Sequence, residues 1–168
     1  MTDKSEMLYL RRSVELAAEA LEAGDQPFGS LLVGADGTIL AEDRNRVGGG
    51  DQTRHPEFEL ARWAATNLTA EERKSSTVYT SSEHCTMCAA AHGWNGLGRI
   101  YYVSSSEQLM GWMAEFGVSE SPPIVILPVQ QVVPGIEVTG PVLELAGEVR
   151  ELFRRLLQPP SPMDTGTG

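Results

Sequence analysis

Clustered positive charge is what this sequence most lacks. Lys and Arg total 13 against 23 Asp and Glu, a formal net charge of −10, and the cations occur singly or in short pairs such as Arg11-Arg12 and Arg154-Arg155. Phosphate backbones are held by grouped cations, so nucleic acid is not an expected partner. Long apolar runs are missing too. The run from Ile124 to Leu127 ends at Pro128, far short of the roughly 20 residues that cross a bilayer, so no membrane partner is expected. The opening segment MTDKSEMLYLRRSVELAAEALEAG carries charge throughout and has no signal-peptide core, which predicts a cytoplasmic protein. Cysteine is scarce as well. Cys85 and Cys88 are the only two, which excludes a disulfide framework and leaves metal binding or redox chemistry for the pair.

The chain of 168 residues is long enough for one domain with a sizeable core. The reading is a single domain over residues 1–158 followed by a disordered tail, 159–168, of composition PPSPMDTGTG. Met7, Leu10, Val14, Ala17 and Leu21 recur at three and four, predicting a helix over Glu6 to Glu22 ended by Gly24. Ser30 to Val33 and Thr38 to Ala41 read as strands joined through Ala35-Asp36-Gly37. Gly48-Gly49-Gly50 is a loop. Beyond it come a helix from His55 to Leu68, a strand Thr77 to Thr80, a helix Cys85 to Trp94 and a strand Arg99 to Ser104. A helix Glu107 to Phe116, a fifth strand at Ile124 to Leu127 and a terminal amphipathic helix Val142 to Leu157 complete the pass. This α/β alternation predicts a three-layer α/β/α domain around a central, mostly five-stranded sheet.

Two short motifs fall at predicted helix starts: His55-Pro56-Glu57 and Cys85-Thr86-Met87-Cys88. One imidazole and two thiolates make a three-ligand zinc site with a fourth position open to water, the mark of a catalytic rather than a structural site. The helix N-termini favour thiolates over thiols. Glu57, two residues after His55, lies close to the metal without needing to bind it. It is the candidate proton carrier for a water activated by zinc.

At these residues the chain resembles the zinc-dependent cytidine-deaminase-like superfamily, whose signature is H-x-E followed by P-C-x-x-C. The likeness covers roughly residues 5 to 117 and is strongest to the branch of guanine deaminases and tRNA adenosine deaminases. The resemblance implies a cytidine deaminase-like fold, a Zn2+ cofactor, and hydrolytic loss of an exocyclic amine from a small heterocyclic substrate such as guanine, cytosine or an aminotriazine. It also implies His55, Cys85 and Cys88 as metal ligands, Glu57 as the catalytic residue, and a homodimer. Pro27-Phe28-Gly29 matches a pocket segment, Asn45 a base-binding asparagine, and Trp94 a tryptophan of guanine deaminases. Ser82, Glu83 and His84, just ahead of the first cysteine, complete the candidate substrate pocket. Three departures stand out. His84 replaces the motif proline, no residue among Glu107, Gln108 and Glu115 clearly matches the acidic residue of guanine deaminases, and their C-terminal tyrosine has no counterpart.

Plainer roles remain open for each residue. The cysteines suit a redox pair or a closed zinc knuckle, although no third cysteine exists. His55 suits a helix cap, Glu57 a first-turn acid, Asn45 a turn, and Phe28 and Trp94 the core. His84 and His92 divide between pocket and ordinary packing. A tRNA adenosine or nucleoside deaminase and a non-catalytic zinc module are the alternative functions.

Overall fold

The computed structural model describes residues 3–159 of the chain. The carboxylate of Asp3 accepts from Lys4 N and the Glu6 carboxylate accepts from Asp3 N, a reciprocal cap that starts helix α1, Lys4–Glu22. Its buried face, Leu10, Val14, Ala17 and Ala20, lies on strand β1, Gly29–Val33. Only glycine fits at position 29, because a Cβ there would collide with the Ser13 carbonyl and the Leu16 side chain. β1 turns back into strand β2, Ile39–Arg44, as an antiparallel hairpin. Asp36 closes the turn by accepting from Thr38 N at 2.9 Å, and Gly37 takes the positive φ of 85° that the turn requires.

A 3-10 turn at Val47–Gly49 leads to helices α2, Pro56–Asn67, and α3, Ala70–Ser75. Strand β3, Thr77–Ser82, helix α4, Thr86–Trp94, and strand β4, Arg99–Ser104, follow. The chain then forms α5, Ser106–Glu115, α6, Val129–Val132, β5, Val138–Thr139, and α7, Leu143–Leu157. The strands make one five-stranded mixed sheet in the order β2-β1-β3-β4-β5. β1 runs antiparallel to β2 and β3, while β3, β4 and β5 are parallel.

Successive strand residues point to opposite faces, and both faces are apolar. Leu31, Val33, Tyr79, Tyr101 and Val103 meet Leu10, Val14, Leu145, Val149 and Phe153 of α1 and α7. On the other face Leu32 and Val78 meet Leu60 and Ala64 of α2, and Ile100 meets Ala89 of α4. Covering both faces produces a three-layer α/β/α architecture.

One predicted strand is corrected. Ile124 to Leu127 has no ladder partner, and Ile124 and Val125 are exposed. Pro122, Pro123 and Pro128 flank the segment, and proline cannot donate to a ladder. Its backbone instead meets Thr86, whose hydroxyl donates to the Val125 carbonyl at 2.5 Å and accepts from Leu127 N at 3.3 Å. The fifth strand is Val138–Thr139, paired to Ile100 and Tyr101. Helices α3 and α6 are additions to the sequence reading. The predicted tail lies, from residue 160 onward, outside the described residues. Among the described residues no helix is long and apolar enough to cross a membrane.

Candidate metal and catalytic site

α2 and α4 start side by side, and the residue that caps each is a metal-ligating type. His55 is the N-cap of α2 and Cys85 the N-cap of α4; neither side chain is used to cap its own helix. Pro56 takes the first position of α2, where its missing N–H costs nothing. Cys88, one turn into α4, is fully buried.

His55 Nδ1 lies 3.7 Å from Cys85 Sγ and 3.6 Å from Cys88 Sγ, and the sulfurs are 3.5 Å apart. Tetrahedral zinc with sulfur at about 2.3 Å and nitrogen at about 2.0–2.1 Å needs edges of roughly 3.6–3.8 Å between such donors. The three side chains therefore fit one ion, and among the described residues they are the only such group of His, Cys, Asp or Glu. The sulfurs titrate as a pair. Contact with Cys88 and with His55 pulls the Cys85 thiol down to about 4, whereas contact with Cys85 and burial push Cys88 well above its ordinary value. The hydrogen bond to Cys85 raises His55 against the opposing effect of burial. A divalent cation held by these three groups would displace their protons, so metal uptake would release protons.

Glu57 is 6% exposed. Burial raises its pKa, with the neighbouring His55 and the Ser30 hydroxyl pulling the other way. Its Oε1 accepts from Ser30 Oγ at 2.8 Å and from Thr80 Oγ1 at 3.0 Å. Sequence reasoning did not single out Ser30 or Thr80. The available signal was polar residues set inside apolar strands.

Asn45 is fully buried at the end of β2. Its Oδ1 accepts from Val47 N at 3.0 Å, which is the turn role, while Nδ2 has no partner among the described residues. A buried amide donor left unmet is costly unless a ligand meets it. Asp25 holds the adjoining loop by pairing with Arg44 and accepting from Gly48 N. The Phe28 ring lies 6.5 Å from the His55 ring, 11° from parallel, and packs edge-on against Phe153 of α7 at 5.2 Å. Phe28 thus borders the three-ligand group.

The remaining candidates are placed differently. Trp94 is 91% exposed, in neither the core nor a stack. It sits at the far end of α4, roughly 13 Å along the helix from Cys85, in a groove with Lys74, Val133 and Pro134. Ser82 Oγ pairs with Ser104 Oγ at 2.9 Å inside the sheet. Glu83 faces two helix starts: Oε1 accepts from Val129 N at 3.0 Å and Oε2 from Ser106 N at 2.9 Å. His84 is buried edge-on against His92 at 5.3 Å, and neither of its ring nitrogens has a partner among the described residues. Burial, and then His92, lower its pKa well below the ordinary histidine value. His92 bonds through Nε2 to the Gly98 carbonyl at 2.8 Å, which is a packing role.

Residues 3–104, which include all of these side chains up to Ser104, match the model of the cytidine and deoxycytidylate deaminase zinc-binding region. A "Probable cytosine deaminase" of Schizosaccharomyces pombe is 31% identical over 123 residues, 73% of this chain and 74% of that protein. The guanine deaminase of Bacillus subtilis is 38% identical over 98 residues, 57% of this chain and 62% of that protein. A solved structure of a Bacillus subtilis guanine deaminase superposes with a TM-score of 0.56 at 27% identity, covering 76% of this chain and 89% of that one. A tRNA-specific adenosine deaminase of Agrobacterium fabrum is 36% identical over 110 residues, 62% of this chain and 70% of that protein.

Proposed function

The chain belongs to the cytidine and deoxycytidylate deaminase zinc-binding family, and from that premise we propose that it hydrolytically deaminates a free nucleobase or related amino-heterocycle of guanine, cytosine or aminotriazine type. In this reading His55, Cys85 and Cys88 hold zinc. When bound, zinc supplies the Lewis acidity that makes water a nucleophile near neutral pH. Glu57 takes one proton from the attacking water and passes it to a ring nitrogen, then takes the second from the hydroxyl so added and gives it to the departing amine. A C–O bond forms, the exocyclic C–N bond breaks, and ammonia leaves. A carboxylate whose pKa is raised by burial suits an acid that must give its proton back.

The observation that carries the reading is Glu57, 6% exposed beside the only three-donor metal group among the described residues. For the substrate, Asn45 Nδ2, without a partner among the described residues, offers a donor to a carbonyl oxygen or ring nitrogen, and Phe28 offers a flat apolar wall. Homodimerisation and a cytoplasmic location belong to the same proposal; thiolate ligands suit a reducing compartment.

A second reading, deamination of adenosine in tRNA, is favoured by the Agrobacterium fabrum relative. Against it stands the net charge of −10. Many cations are also already paired with carboxylates, among them Arg12, Arg44, Arg46 and Arg99, and so are poorly available to phosphates.

Ammonia release from zinc-loaded protein on guanine, cytosine, adenine, aminotriazines, their nucleosides and a tRNA anticodon stem-loop tests both. Activity on a free base that falls at least about 100-fold in Glu57→Ala is the expected result. Turnover of the stem-loop alone replaces the first reading with the second. Silence on every substrate at one zinc per chain rejects both.

A further inference from the structure

Glu57 is held by the sheet as much as by its own helix. Ser30 on β1 and Thr80 on β3 are directly opposed across the antiparallel pair, so their side chains share a face. Both are 0% exposed. Ser30 Oγ lies 2.8 Å and Thr80 Oγ1 3.0 Å from the same carboxylate oxygen, Glu57 Oε1, and the two hydroxyls are 2.8 Å apart.

Each hydroxyl has one proton to give. That of Thr80 also has the Ser82 carbonyl within 3.0 Å. A charged acceptor outcompetes a neutral one, so whenever Glu57 is ionised both protons go to Oε1. Two donors from neighbouring strands on one oxygen fix the plane of the carboxylate. The carboxylate also neighbours the Cys88 thiol, which places it between the sheet and the three-donor group.

We infer that Ser30 and Thr80 are positioning residues for proton transfer: together they pin one oxygen of Glu57 to the sheet and present the other to the space bounded by His55, Cys85 and Cys88. The inference rests on Glu57 being the proton carrier of the deamination proposed above. If the hydroxyls merely fill space, apolar replacements of the same shape leave catalysis as it is. If they orient the carboxylate, those replacements free it to turn away, and small misplacements of a reacting group are expensive in rate.

Zinc-loaded Ser30→Ala, Thr80→Val, the double variant and Thr80→Ser are compared with wild type, with zinc content and melting temperature as folding controls. In the double variant kcat is expected to fall roughly 10- to 100-fold while KM moves by less than about threefold. Thr80→Ser, which restores the hydroxyl without the methyl group, is expected to recover most of the rate lost in Thr80→Val. A second readout needs no turnover. The infrared spectrum of wild type minus that of Glu57→Gln isolates the Glu57 carboxylate stretch, and the band is expected to shift when both hydroxyls are gone. A double variant that keeps kcat within about twofold, or an unshifted band, overturns the inference. Should wild type deaminate nothing, the deaminase reading fails by itself, and the infrared band alone decides whether the hydroxyls hold the carboxylate.

Discussion

Glu57 sits where its charged form is disfavoured, because burial raises its pKa more than His55 and Ser30 lower it. For an acid whose pKa is higher folded than unfolded, the native state binds more protons between the two values. Stability is then fully present below the unfolded pKa of about 4.3 and declines as pH rises through the folded pKa. A neutral isostere escapes that decline. Metal-free Glu57→Gln is expected to melt roughly 2–4 °C above metal-free wild type near pH 7, which corresponds to about 1 kcal/mol in a chain of this size. The gap should close below about pH 4, and calorimetry across pH reads it directly. Equal melting temperatures at every pH would mean the buried carboxylate carries no such penalty. At this scale the motif residues were legible from spacing, since His55, Glu57, Cys85 and Cys88 lie at or within one turn of two helix starts. The burial of His84 against His92 was not. It depends on what α4 packs against, and a substitution in a motif does not reveal its surroundings.

Secondary-structure elements meet the site through their ends. Glu83 follows β3 and satisfies the first N–H groups of both α5 and α6, which tethers the chain after β4 to the start of α4. Glu83→Gln keeps one acceptor and turns an NH2 group against the other helix start. We expect a loss of about 1–3 kcal/mol, seen as a lower melting temperature in a protein that still carries one zinc per chain; an unchanged melting temperature would remove the tether. Helices announced themselves where caps or apolar periodicity were present, as in α1 and α7. The capping box of α3, in which the Thr69 hydroxyl accepts from Glu72 N and the Glu72 carboxylate accepts from Thr69 N, was an available signal. The strand expected at Ile124 to Leu127 rested on apolar composition alone, and prolines on either side deny it a ladder. β5 has two residues, too few to show a period.

For the molecule as a whole, the three-donor group joins two helices that cover the same face of the sheet, and the ligands come from segments 30 residues apart in sequence. A ligand that binds only the folded state stabilises by mass action, by about 2.7 kcal/mol at a hundredfold excess over Kd. Stripping zinc with a chelator is therefore expected to lower the melting temperature by roughly 5–10 °C, with recovery on adding zinc back. Complete removal without any change would show that the ion adds nothing to the fold. The excess of acid is likewise a property of the whole chain, and the ion pairs of Arg12, Arg44 and Arg99 leave those cations poorly available to phosphates.

The sequence by itself determined the helices and strands from α1 to β4 other than α3, the cap-and-motif starts of α2 and α4, and the chemistry of His55, Glu57, Cys85 and Cys88. All of these are written in contacts between residues a few positions apart. Only the tertiary structure decided that Ser30 and Thr80 grip Glu57, that Trp94 stands in solvent, that Asn45 keeps a donor unmet among the described residues and that Glu83 serves two helix starts. These depend on strand pairing and register, which bring together residues 27 and 23 positions apart around Glu57, and no local pattern encodes which distant strand will lie alongside.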